Sequence, residues 1–288
     1  WSDEQTKTMK KVLLLIVLAL CLWGCFAFSV FYGVFTKTSY GQLHLVPSEH
    51  YLQTNDGYVF DTGAMYSVII EDNLRSAIPI FPAISFDSGG NFNLSTLYLL
   101  PTLLIDAKMS ISNIGCIIAK RGNNSDVLGK SKVRMILGTN VIKQANWLFS
   151  FVGNTAEIFP LGYTIEIPPN ALCLTFENSN YPTVIVNTDV GNFTMLLDTG
   201  LDADMTMTRN NLKIISQIAK HKISNLSADY LYGNEEVKVV DLDSAKLFNR
   251  TFHNLNVRES SKDMLGLNFL KRFDNMFIDN NKRQVLLW

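Results

Sequence analysis

Two patterns of apolar and polar positions divide the chain. From Val12 to Phe35, in "VLLLIVLALCLWGCFAFSVFYGVF", no charged residue interrupts an apolar run. That run exceeds the roughly 20 residues a helix needs to cross a bilayer. Beyond it the apolar stretches shorten and alternate with polar positions, as in "TVIVN" from Thr183, "TMLL" from Thr194 and "EVKVV" from Glu236. Turn-forming clusters separate them, such as "FDSGGNFN" from Phe86 and "LYGNEE" from Leu231. Short alternating runs bounded by Gly, Asn and Asp predict strands joined by hairpins. Helical spacing appears in "NLKIISQIAKH" from Asn211, and "NVIKQAN" and "NFLKRF" each predict the start of a short helix. The expected class is mainly β, preceded by one long apolar helix.

Charge sets the orientation of that helix. Lys7, Lys10 and Lys11 precede the apolar run and only Lys37 follows closely. The excess of cations on one side places the N-terminus in the cytoplasm and the remainder outside it. An alternative reading begins at Met9, where "MKKVLLLIVLALCLWGC" resembles a bacterial lipoprotein signal ending at Cys25. Trp23 fits that pattern badly, and the apolar run continues ten residues past Cys25. Either reading puts the rest of the chain on the extracytoplasmic side, expected to be bacterial periplasmic, held by a single span or by a lipid on Cys25. The sequence starts at Trp1 rather than Met, which fits a fragment or a mis-set start.

Composition narrows the function classes. The 288 residues carry a formal net charge of −1, and no basic run occurs outside the N-terminus, so nothing favours nucleic acid as a partner. Of four cysteines, Cys21 and Cys25 lie in the apolar run, and Cys116 and Cys173 are expected as buried free thiols, with a bridge between them as the alternative. His44, His50, His221 and His253 lack ligand spacing, so no metal and no cofactor is expected.

An internal repeat organises the remainder. "YVFDTG" around Asp61 and "MLLDTG" around Asp198 each lead an apolar run into Asp-Thr-Gly. "ILGTNVIKQANWLFSF" from Ile136 matches "MLGLNFLKRFDNMFID" from Met264, with Leu-Gly and an Asn two residues later in each. Asp61 to Gly138 is 77 positions and Asp198 to Gly266 is 68. A duplicated unit of about 120 residues follows. Its seam lies at Phe159–Leu172, where Pro160, Pro168 and Pro169 interrupt regular structure. The expected segments are an anchor at 1–40, a first lobe at 41–165 and a second at 166–288.

These motifs resemble the aspartic peptidases of the pepsin and retropepsin type. Asp61-Thr62-Gly63-Ala64 is similar to the retroviral pattern, and Ile136-Leu137-Gly138 and Met264-Leu265-Gly266 to the apolar-apolar-Gly element beneath the active loops of that family. The C-terminal stretch from Leu265 resembles bacterial retropepsin-like domains. The resemblance implies a bilobal acid-protease fold of two pseudo-symmetric β-barrel lobes in one monomeric chain, acting on a polypeptide. It implies Asp61 and Asp198 as the catalytic pair, with Thr62, Gly63, Thr199 and Gly200 holding their loops. Two crowded carboxylates share a proton, so that one is base and the other acid. Flaps are implied at Ser88, Gly89 and Gly90 in the first half and at Tyr232 and Gly233 in the second.

Two features depart from the family pattern. Leu201 is bulky where a small or hydroxyl residue is usual. Asp202 and Asp204 add negative charge that would raise the dyad's pKa values unless turned to solvent. An alternative function, a peptide-binding module that does not cleave, follows if these features disable the site. Asp198, Asp202 and Asp204 also permit a calcium-loop reading, although the glycine and terminal Glu of an EF-hand are missing.

Overall fold

The computed structural model describes residues 3–31, 33, 37–48, 50–70, 76–86, 92–105, 109–119, 133–177, 181–217, 220–230 and 233–288. One long helix, Asp3–Phe31, precedes a mainly β body built on two sheets, one of 14 strands and one of 7. Within the candidate span Lys7–Phe31 the helix holds an apolar window of mean hydropathy 2.7, and most of that window is exposed. Among the helix residues whose burial is described, only Ala27 and Val30, in its last two turns, are buried. Gly33, in the left-handed region at φ 69°, donates its amide to the Val30 carbonyl at 3.1 Å and closes the helix.

The same pairing scheme occurs in both halves. In the first, Tyr58–Phe60 runs parallel to Met135–Leu137, with Phe60 opposite Leu137. Ser67–Ile69 lies antiparallel to Met135–Leu137 and parallel to Met109–Ile118. In the second, Gly191–Asp198 runs parallel to Met264–Gly266, with Asp198 opposite Gly266. Met205–Met207 lies antiparallel to Met264–Gly266 and parallel to Arg250–Glu259. Tyr58–Phe60, Ser67–Ile69, Met205–Met207 and Met264–Gly266 are buried along their whole length, and two of them carry a buried hydroxyl residue, Ser67 and Thr206. Each half also carries a long hairpin: Ile78–Phe86 with Phe92–Ile105, and His221–Tyr230 with Gly233–Leu247.

A further set of strands crosses position 165. Leu172–Thr175, Gln284–Leu287, Asn275–Asp279, Asn146–Ser150, Thr155–Phe159 and Gly41–Val46 lie side by side in that order. Trp147 sits opposite Ile278 and Leu148 opposite Phe277. Above this platform Phe60 meets Trp147 and Phe149 edge-on, at ring-centroid distances of 5.1 and 5.3 Å. All three rings are buried, so the strand that leads into Asp61 rests on an aromatic base.

Two expectations change. Cys116 is buried, and burial pushes its thiol up to about 12, but Cys173 is exposed; both are free. Cys173 lies on the outermost strand of the 14-stranded sheet and points outward, its thiol donating to Gln284 Oε1 at 3.5 Å. The helix expected from Asn211 begins at Arg209 and runs to Ile215.

Candidate active site

Each Asp-Thr-Gly follows a strand whose direction is fixed before the loop starts. The Asp61 amide donates to the Leu137 carbonyl at 3.0 Å, and Asp198 ends the strand Gly191–Asp198. The loops then meet. The Thr62 hydroxyl accepts from the Thr199 amide at 3.0 Å and donates to the Leu197 carbonyl at 2.7 Å. The Thr199 hydroxyl accepts from the Thr62 amide at 3.0 Å and donates to the Phe60 carbonyl at 2.8 Å. Both threonines are buried, at 2% and 0% exposure, so the four bonds are shielded from competing water.

This reciprocal lock brings the carboxyl groups of Asp61 and Asp198 within hydrogen-bonding reach of each other. Gly63 lies against the Asp198 carboxyl and Gly200 against that of Asp61; a Cβ on Gly200 would stand 2.5 Å from Asp61 Cγ. Glycine is required here by close approach alone.

Apolar-apolar-Gly segments underlie both loops. The one-turn helix Thr139–Ile142 donates its Thr139 amide to the Ala64 carbonyl at 2.8 Å, and the Thr139 hydroxyl also reaches the Ala64 and Met65 carbonyls. In the second half Leu267, opening the helix Leu267–Leu270, donates its amide to the Leu201 carbonyl at 2.9 Å. The position six residues past each aspartate differs between halves. Ser67 accepts from the Gly138 amide and donates to Asn140. Asp204 accepts from Arg272 at 2.7 and 3.0 Å and from the Asn256 amide at 2.8 Å.

The two carboxyl groups are not equivalent. Asp61 Oδ1 accepts two amides, Gly63 at 2.8 Å and Ala64 at 2.9 Å. Asp198 Oδ1 accepts one, Gly200 at 2.8 Å; the Leu201 amide points instead to the Asp198 carbonyl, at 3.4 Å. Burial raises both pKa values. Asp198 is raised the more strongly because the Asp61 charge adds to its burial, while its own bond to Asp198 favours the charged form of Asp61. The second amide on Asp61, which Asp198 lacks, favours the charged form at Asp61.

The other acidic residues turn away. Asp202 pairs with His50 Nδ1 at 2.6 Å and accepts from Asn268 at 3.3 Å. Asp204 is occupied by Arg272, so Asp198, Asp202 and Asp204 each serve a different partner and do not form a calcium loop. Neither neighbour contributes to the rise at Asp198. Leu201 packs against Gly266, where its bulk fills space a side chain would need. Of the flap residues, Ser88, Gly89, Gly90 and Tyr232 lie outside the described residues. Gly233 opens its strand opposite Tyr230. The Asp204–Arg272 pair and the Ser67–Asn140 bond are invisible in the motifs, although the shared six-residue offset from each aspartate marks positions 67 and 204.

A stability test of the lock follows. Thr62→Val removes one hydroxyl and leaves the buried Thr199 amide and Leu197 carbonyl without partners. At about 1–3 kcal/mol for each orphaned group, the loss is expected to be roughly 2–5 kcal/mol. Thr62→Ser, which keeps the hydroxyl, is expected to stay within about 1.5 kcal/mol of the parent. Denaturant unfolding at one pH measures both. Equal stability of the valine and serine variants would show that the lock contributes nothing.

No protein-family model matches the chain, and no curated protein matches it. Among solved structures, a retropepsin-like aspartic protease from Rickettsia conorii is similar at 17% identity and a TM-score of 0.32, over 43% of this chain and 95% of that one.

Proposed function

We propose that the protein is a membrane-tethered aspartic endopeptidase, with each half supplying one carboxyl group as in a two-lobed acid protease. The observation that carries this reading is the pair itself: a buried Asp198 and a half-buried Asp61 with their carboxyl groups in mutual reach, two amides on Asp61 and one on Asp198. Asp61, ionised, takes a proton from a water held between the pair. The resulting hydroxide attacks the carbonyl carbon of the scissile peptide, and Asp198 gives its proton to the carbonyl oxygen. The tetrahedral diol collapses as a proton passes to the leaving nitrogen and the C–N bond breaks. One proton returns to Asp198, and the dyad is restored. The surrounding fold is read as two related β lobes, residues 41–165 and 166–288, on the extracytoplasmic side of the membrane that the helix crosses. A polypeptide is the substrate and one chain suffices.

The pH dependence is the direct test. Cleavage needs one proton on the pair. At low pH both groups are protonated and no base remains; at high pH both are ionised and no acid remains. Both pKa values are raised, so the active window is expected to extend above the ordinary carboxylate range. The same shift acts on stability. The folded pair binds more protons than the unfolded chain once pH exceeds the unfolded pKa, so stability falls as pH rises through the folded values. Cleavage of a mixed peptide library by the full chain in detergent, followed across pH, is expected to give a bell-shaped profile unaffected by chelators. A flat profile would exclude the shared-proton mechanism. Peptide binding with no cleavage at any pH would instead favour a module that binds without cutting.

A further inference from the structure

The N-terminal helix has no length to spare. Val12 to Phe31 is 20 residues. At about 1.5 Å per residue they span roughly 30 Å, the thickness of a bilayer's hydrocarbon core. Residues 7–26 are all exposed, and burial against the body begins with Ala27 at 7% and Val30 at 1%, so the seated part of the helix is confined to its last two turns. The Val30 carbonyl abuts Gly115 on the strand Met109–Ile118, where any side chain would overlap it. The Phe31 ring lies 4.7 Å from that of Tyr66. If Lys11 stays at the cytoplasmic boundary and the helix spans the bilayer, the sheet around Gly115 stands at the opposite boundary.

Strand register extends this surface sideways. Gly115 is paired with Leu99, and Leu99 with Ile78; in the next row Ile117 is paired with Leu97, and Leu97 with Phe81. Directly opposed residues share a face, and neighbouring strands lie about 4.8 Å apart, so Ile78 sits roughly 10 Å from Gly115 on the same side. Ile117 and Leu97 are covered, but Ile78 and Phe81 are 52% and 50% exposed. Two large apolar side chains thus continue the surface on which the helix end is seated.

We propose that Ile78 and Phe81 rest in the interfacial layer of the bilayer that the helix crosses, and that the face from Gly115 to Phe81 is a lipid-contact surface. The occupant is lipid because the face is continuous with the seated helix end, and the helix is too short to hold that face away from the membrane. Tyr66 joins this surface to the site: it lies five residues after Asp61, and its hydroxyl donates to the Ile84 carbonyl at 3.3 Å, on the hairpin strand that carries Ile78 and Phe81. Resting on the peptidase reading, the matching substrates are polypeptide segments emerging from the same membrane surface.

The test is photo-crosslinking of the full chain in nanodiscs of phosphatidylcholine and phosphatidylglycerol, a readout independent of catalysis. Leu18, Ile78, Phe81 and Ile223, all exposed, are replaced one at a time by benzoylphenylalanine, using variants that keep the parent's melting temperature. Lipid adducts are expected at 18, 78 and 81 and none at 223. Adducts at 18 with none at 78 and 81 would overturn the contact surface alone. No adduct at 18 would remove the membrane span and the proposal with it. Crosslinks from 78 and 81 to a second copy of the chain would overturn it in favour of self-association.

Discussion

Asp61→Asn and Asp198→Asn are each expected to reduce peptide cleavage by roughly four to six orders of magnitude, with the double variant scarcely worse than either single one. The reason is that the groups act as a unit. Without Asp61 no base faces the water, and without Asp198 no acid faces the carbonyl oxygen. Asn preserves the side chain's size, so the Thr62–Thr199 lock is untouched. Each replacement also removes a group whose ionisation opposes folding. The single variants should therefore be at least as stable as the parent at neutral pH, and their stability should depend less on pH. Single-turnover cleavage with matched unfolding curves separates the two effects. If either variant retained more than about a tenth of the parent rate, a loss of only about 1.4 kcal/mol of transition-state stabilisation, the shared dyad would be wrong. Additive losses in the double variant would mean that the two aspartates act independently.

Gly200→Ala is expected to be the most damaging change at a residue that performs no proton transfer. Its new Cβ would stand 2.5–2.8 Å from the carboxyl atoms of Asp61, whereas ordinary carbon contacts begin near 3.5 Å. The loops must separate by about 1 Å, and a misplacement of that size can cost on the order of 100-fold in rate. Separation also stretches the bonds between Thr62 and Thr199, so a loss of stability accompanies the loss of rate. Gly63→Ala should behave alike, because its Cβ overlaps the Asp198 carboxyl. Gly162, with nothing near its Cβ position, gives the control for packing: because its φ is +91°, alanine there should cost stability through backbone strain without affecting cleavage at equal folded fraction. Rates for Gly200→Ala near those of the parent would mean that the carboxyl groups are not held as close as described.

Much of this arrangement was legible because it is written locally and twice. Phe60 and Leu197 are buried apolar residues immediately before an aspartate, and the Leu-Gly segments at 137–138 and 265–266 repeat the context. The chain's strong apolar run marked the helix for the same reason. What escaped depends on partners distant in sequence. Nothing near Asp204 announces Arg272, 68 residues later, so its charge seemed available to the dyad. Cys173 sits in an apolar stretch, yet its outward direction follows from which strand pairs on one side only. The inequality of Asp61 and Asp198 turns on where a single amide points, and the difference between Ala64 and Leu201 signals a change there without giving its direction.

The sheet that crosses position 165 has a consequence for the timing of maturation. Asn146–Ser150 pairs with Asn275–Asp279, so a strand made early in synthesis waits about 125 residues for its neighbour. At roughly 5–20 residues per second, that delay lasts several seconds or more. During it the edge later occupied by Asn275–Asp279 is open, and Asp198 lacks Met264–Gly266 beside it. On the peptidase reading, the nascent chain would have no complete dyad until those strands are made. Its competence would arrive with the closing strands, and the same open edge would make that interval the period of greatest exposure to aggregation and to quality-control proteases.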